Sequence, residues 1–234
     1  MEIYDVHTHQ IYTEESDDPY HSCIFDVYSL EFEVAKELHQ RHSFSCGVHP
    51  WYSEDSETQM TYLDEIATSP RIVAIGETGL DKLKGPSFEV QTPVFKKHIE
   101  ISEKLEKPMI IHCVKAWEEV LKIKKETSPK QPWIIHGYRG KPELTKRLIN
   151  EGFYLSIGEN INVDSMQHIP LEKLFCETDE GDMSIREVYM QAAKVLNLEI
   201  TEFAEIITQN VRLMFPTLQA PKPYYLKYED DEED

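Results

Sequence analysis

Met109-Ile110-Ile111-His112 and Trp133-Ile134-Ile135-His136 share one form, three apolar residues followed by a histidine. Short apolar runs without polar alternation suit strands covered on both faces, as in a parallel sheet. Either histidine alone would read as a satisfied core residue. Two such strands, each ending in a metal-binding side chain, set the pattern by which the rest of the chain is read.

The same pattern recurs outward in both directions. Tyr4-Asp5-Val6-His7-Thr8-His9 is an apolar strand ending in two histidines. Residues i and i+2 of a strand point the same way, so both imidazoles can face one point. Ile72-Val73-Ala74-Ile75-Gly76-Glu77-Thr78-Gly79-Leu80-Asp81 ends an apolar run in a carboxylate between glycines. Such a group needs a partner once it is buried. Leu174-Phe175-Cys176-Glu177-Thr178-Asp179 closes the set, with Asp179 as a ligand and proton acceptor and Glu177 as support behind the ligands or a salt bridge.

Eight apolar or β-branched runs can be marked, at 3–7, 23–28, 44–49, 72–77, 109–112, 133–136, 154–157 and 174–177. Helical spacing appears between them at 94–105, 117–126, 142–151 and 184–196, with Pro142 suited to a first turn and Gly152 to the position past a helix end. This alternation predicts an α/β fold, a (β/α)8 TIM-type barrel with its active site at the C-terminal ends of the strands. The stretch 14–19, Glu-Glu-Ser-Asp-Asp-Pro, lacks apolar periodicity, so the barrel is expected to lack a full first crossover helix. Residues 1–220 form the expected barrel and 221–234 an acidic, disordered tail.

The chain has 234 residues, 40% of them hydrophobic, enough for one barrel-sized core, and a formal charge of −19. A protein that grips long duplex nucleic acid carries a basic stripe, and none is visible. Cys23, Cys46, Cys113 and Cys176 are widely separated, which predicts buried free thiols in a reducing compartment. With no basic apolar leader and no long apolar run, a soluble cytoplasmic protein without membrane association is expected.

His7, His9, His112 and His136 with Glu77 and Asp179 exceed the needs of one tetrahedral zinc and suit two divalent ions. Paired metals lower the pKa of a water and polarise a phosphoryl or carbonyl oxygen, so the implied chemistry is hydrolysis, most naturally of a phosphate ester.

Over about residues 2–216 the chain resembles the TatD-type metal-dependent deoxyribonucleases, hydrolases built on a (β/α)8 barrel. The resemblance lies in Asp5-Val6-His7-Thr8-His9, Gly47-Val48-His49-Pro50, Gly76-Glu77-Thr78-Gly79-Leu80-Asp81, Pro108-Met109-Ile110-Ile111-His112, Ile135-His136, Glu177-Thr178-Asp179 and Asn210-Val211-Arg212-Leu213-Met214-Phe215. It implies that His7, His9, Glu77 and Asp179 hold one ion (Zn, Mg or Mn) and Glu77, His112 and His136 another. Glu77 and Asp179 would then be the catalytic pair, with Asp179 deprotonating a metal-activated water.

His49 would stand near the substrate. Family members carry an arginine where Val114 stands here, so Lys115 and Arg139 are the expected phosphate contacts, with Tyr138, Trp51 and Tyr52 as aromatic platforms. The expected substrate is a small phosphate ester or short single-stranded DNA. The alternatives are an amide, lactone or ester substrate on the same barrel, or a catalytically silent metal-binding interaction protein.

Overall fold

A computed structural model describes residues 1–10, 21–39 and 42–218. The segment 11–20, and with it the expectation about the first crossover, lies outside the described residues, as does the acidic tail. Eight strands form one parallel sheet in sequence order: β1 (Ile3–Thr8), β2 (His21–Tyr28), β3 (Ser43–Gly47), β4 (Ile72–Asp81), β5 (Met109–Val114), β6 (Trp133–Ile135), β7 (Tyr154–Ile157) and β8 (Leu174–Cys176). Each predicted run falls on one of these strands. The helices are α1 (Phe32–Leu38), α2 (Ser56–Ile66), α3 (Phe88–Leu105), α4 (Trp117–Thr127), α5 (Pro142–Asn150), α6 (Val163–Met166), α7 (Ile185–Leu196) and α8 (Ile200–Met214).

Every residue of β1, β3, β4, β6 and β8 is buried, as expected where helices cover the outside of a closed parallel sheet. The helices contribute single stripes. In α8, Phe203, Ala204, Ile207 and Val211 are buried at helical spacing, and this face packs on β1 and β8. Phe95, Trp133 and Phe153 pack as a chain of rings between wall and helices, each fully buried. Burying a side chain of that size stabilises the fold by roughly 2–3 kcal/mol.

The helix ends follow local chemistry. Pro142 opens α5, where a missing N–H costs nothing, and Gly152 follows it at φ +80°. Ser184 and Glu187 form a reciprocal capping box at the start of α7.

The last two helices also pin the seam of the barrel. The Tyr189 hydroxyl on α7 accepts from the Tyr4 amide at 3.1 Å and donates to the Tyr4 carbonyl at 2.9 Å. Asn210 on α8 donates to the carbonyls of Leu171 (2.6 Å) and Leu174 (2.9 Å), which fixes the entry into β8. The sheet closes where β1 meets the end of β8 in a parallel bridge between Thr8 and Asp179. There the Asp179 amide donates to the His7 carbonyl at 3.0 Å, and the His9 amide to the Asp179 carbonyl at 3.2 Å. Among the described residues no helix is long and apolar enough to cross a membrane.

Candidate metal centre

Two irregularities in the sheet set the site. Between Asp5 and Thr8, β1 advances three residues while β2 advances two, from Cys23 to Phe25. Between Ile75 and Thr78, β4 advances three while β5 advances two, from Met109 to Ile111. Each is a β-bulge, which re-aims the side chains of the longer strand. One falls on His7 and the other on Gly76-Glu77. Gly76 (φ +150°) and Gly79 (φ +147°) lie so close to the β5 backbone that a Cβ on either would collide with the carbonyl oxygen of Ile110 or His112. Glycine at those places lets β4 and β5 stay paired through the distortion.

The Glu77 carboxylate, 5% exposed, ends at the centre of a ring of imidazoles. Its Oε2 faces His7 Nε2 at 3.4 Å and His9 Nε2 at 3.6 Å, and Asp179 Oδ1 lies 3.7 Å from both of those nitrogens. Its Oε1 faces His112 Nδ1 at 2.6 Å, His136 Nε2 at 2.8 Å and His49 Nε2 at 3.2 Å. The six ligands expected from the sequence are therefore brought together, as two sets on opposite oxygens of one carboxylate. His49 joins the second set.

Behind these groups lies a further layer. Glu177, fully buried, places Oε1 3.4 Å from His136 Nδ1 and accepts from the Gly137 amide. Asp81 Oδ2 accepts from His112 Nε2 at 3.0 Å. Asp5 accepts from the Thr178 hydroxyl (2.7 Å), the Thr178 amide (3.1 Å) and the His7 amide (3.3 Å), so one carboxylate ties both sides of the seam. Asp26, at the end of β2, lies with His9 and Glu77 and takes the Ser45 hydroxyl at 2.6 Å. Sequence reading missed Asp26 and gave Asp81 and Asp5 no role. Each stands in its run as an ordinary carboxylate, and only the folded barrel aims it at a histidine or a seam residue.

The electrostatics favour a cation. Burial would raise the Glu77 carboxyl, but the His136 charge and the close imidazoles of His112, His136 and His49 hold it well below the usual carboxylate range. Burial would lower His9, yet Glu77, Asp26 and Asp179 draw its proton on and bring it up to about 9. His136 is likewise raised well above its ordinary value, against burial, by Glu77 and Glu177. Burial raises the Asp5 carboxyl to about 7 and also raises Asp179. A field that holds protons on buried imidazoles is one that a divalent ion can satisfy instead.

The donor set fits such an ion. Neither ring nitrogen of the fully buried His7 has a hydrogen-bond partner. The separations of 3.4 to 3.7 Å among His7, His9, Glu77 and Asp179 are too long for good hydrogen bonds. They match donors sharing one tetrahedral ion, which lie about 3.4 Å apart when each is about 2.1 Å from the metal. Asp179, at φ +53°, has the most exposed side chain of this group, 38%, so it is the carboxylate that incoming water meets.

The rim departs from expectation at one residue. Tyr138 was expected to offer an aromatic face to substrate, but it is 3% exposed, and its hydroxyl pairs with Thr145 at 2.8 Å. Gly137 at φ +56° turns the chain, and the Tyr138 ring packs against Trp117 and Gly140 in the wall. Lys115 and Arg139 are exposed on the neighbouring loops. Tyr52 is 47% exposed and meets Tyr28 edge-on at 5.5 Å, while the Trp51 ring carries Lys84 Nζ at 3.2 Å from its centroid.

Comparison with known proteins agrees with this geometry. The profile of the family described as TatD related DNase matches residues 25–216. The uncharacterized metal-dependent hydrolase YcfH of Escherichia coli K12 is 28% identical over 194 residues, covering 74% of this chain and 73% of that protein. An uncharacterized metal-dependent hydrolase of Buchnera aphidicola is 30% identical over 149 residues, 60% of this chain and 56% of its own length. A putative deoxyribonuclease TATDN1 homolog of Enterocytozoon bieneusi is 30% identical, covering 67% and 63%. Among solved structures, the TatD homolog YJJV of Escherichia coli superposes with a TM-score of 0.78 at 20% identity, covering 92% of this chain and 98% of that one.

Proposed function

The chain belongs to the TatD related DNase family, a family of metal-dependent hydrolases, and from that premise we propose that it is a two-metal phosphoesterase acting on a small phosphate ester or a short single strand of DNA. The observation that carries this reading is the division of one buried carboxylate. Glu77 turns Oε2 to His7 and His9 and Oε1 to His112 and His136. Divalent ions bound there supply Lewis acidity toward a phosphoryl oxygen and make an attacking water more acidic.

The chain's own groups do the rest. His7, His9 and Asp179 would hold one ion, and His112 and His136 the other, with Glu77 shared between them. Asp179, the solvent-facing carboxylate, orients the water and takes its proton. His49 accepts the Trp51 amide on Nδ1 at 3.2 Å, so its proton sits on Nε2, which faces Glu77 Oε1 at 3.2 Å, and that hydrogen bond would pass to a substrate oxygen bound there. Lys115 and Arg139 stand on the rim as cations for the remaining phosphate charge.

The test is hydrolysis by metal-free protein reconstituted with magnesium, manganese or zinc. The panel holds a single-stranded oligonucleotide, a phosphodiester reporter, a phosphomonoester and a lactone, with Glu77→Ala as control. Metal-dependent cleavage of a phosphate ester, lost in the control, supports the proposal. Lactone turnover alone moves the reaction to carbonyl chemistry, and turnover of nothing, with metal bound, leaves a binding protein.

A further inference from the structure

We propose that Asp81 is a positioning residue: it holds the proton of His112 on Nε2 and so turns the Nδ1 lone pair toward the metal centre. The inference rests on the two-metal reading above. Asp81 is the last residue of β4 and is 3% exposed, so its carboxylate is nearly shielded from water. Four donors surround it. Oδ1 accepts from the Leu83 amide at 2.7 Å and the Lys84 amide at 3.0 Å, and Oδ2 accepts from Trp51 Nε1 at 2.7 Å and His112 Nε2 at 3.0 Å. Backbone amides and an indole nitrogen can only donate, so Asp81 serves as an ionised acceptor throughout. His112 must then donate from Nε2, and its Nδ1 lone pair meets Glu77 Oε1 at 2.6 Å, with His136 Nε2 at 3.4 Å, a contact between acceptors that a cation held there would relieve.

The surroundings leave Asp81 little freedom. Gln91 on α3 accepts from the Asp81 amide and donates to the Asp81 carbonyl, both at 2.8 Å, and donates to the Pro86 carbonyl at 2.6 Å. Lys84 lies over the Trp51 ring, and a Cβ on Gly85 would come within 2.8 Å of Trp51 Cα. The loops after β3 and β4 are thus locked together around this one carboxylate. Trp51 also sorts the two neighbouring imidazoles. Its amide backs His49, leaving a proton on the site-facing nitrogen, whereas its indole shares the carboxylate that backs His112 and leaves a lone pair there. A carboxylate behind a ligating imidazole fixes its tautomer and raises its basicity.

Asp81→Asn keeps the shape but replaces one oxygen with an NH2 group. With the remaining oxygen on the two amides, the NH2 faces His112, whose Nε2 must accept and whose proton must move to Nδ1. Zinc binding is measured by chelator competition on wild type and variant, together with nitrogen NMR of the His112 ring in the zinc-loaded wild type. The expected results are one ion weakened about 10–100-fold in the variant and the other held within about twofold. In the wild type, the His112 proton is expected on Nε2.

A wild-type His112 protonated on Nδ1 overturns the inference and needs no variant to fold. Two ions held equally tightly by Asp81→Asn and wild type overturn it while leaving the two-metal reading intact. A wild type that holds no zinc overturns both.

Discussion

Thr8 and Asp179 form the bridge that joins the first strand to the end of the last, so the barrel closes at its own candidate metal centre. Asp179 contributes a backbone amide and carbonyl to that closure and a carboxylate to the ligand set. The architecture and the site therefore share one set of hydrogen bonds. Thr178, next in the chain, ties its hydroxyl to Asp5 at 2.7 Å and to Thr8 at 2.8 Å.

Thr178→Val keeps the shape of the side chain and removes that hydroxyl. The variant should lose about 1–3 kcal/mol of stability, because buried oxygens on Asp5 and Thr8 lose a partner. Urea unfolding of the metal-free protein measures this. A midpoint equal to that of wild type would show that the seam is held by other contacts.

His98 predicts a pH dependence. On α3 and fully buried, it accepts the Val48 amide on Nε2 at 2.9 Å and donates from Nδ1 to the Val94 carbonyl at 2.8 Å, holding the loop that carries His49. Burial, opposed by the Val94 bond, lowers it to about 4. Its folded pKa lies below the unfolded value of about 6.5, so its contribution is complete above that value and is lost as pH falls through about 4. The loss is about 3 kcal/mol over that window. In metal-free protein, the stability gap between wild type and His98→Gln should narrow between pH 7 and pH 4. A constant gap would count against the neutral, hydrogen-bonded imidazole.

Metal removal should destabilise the folded chain. At a free ion concentration about a hundredfold above its Kd, a bound ion adds about 2.7 kcal/mol, because it binds only the native ring of ligands. Calorimetry with and without chelator should show a lower Tm after stripping. An unchanged Tm would mean that the buried nitrogens of His7 serve no cation.

Glu177→Gln separates support from catalysis. The buried carboxylate backs His136 on the face away from Glu77, so its loss should reduce metal affinity about 10–100-fold. Hydrolysis should fall and then recover as metal concentration rises. A loss that saturating metal cannot restore would place Glu177 in the chemistry itself.

The candidate ligands were legible as a cluster because each closes an apolar run, and a histidine or glutamate there has little reason to exist without a partner. Eight strands in order followed from the same runs. The bulges at His7 and at Gly76-Glu77 were not legible, since they are a mismatch between neighbouring strands and no single stretch records it. Helix α1 escaped because Val34 and Leu38 stay exposed, which blurs its apolar stripe. Helix α2 carried a signal in Met60, Leu63 and Ile66 that could have been read. Tyr138 misled for a local reason: an aromatic beside a glycine in a polar loop reads as exposed until the turn at Gly137 sends it inward.

A carboxylate divided between two clusters makes them one thermodynamic unit. On the two-metal proposal, an ion drawn to the Oε2 side of Glu77 would orient the carboxylate that the Oε1 side offers, and the reverse would hold equally. Whatever factor the first ion applies to the affinity of the second, the second must apply to the first. Filling the two halves in either order must therefore return the same coupling.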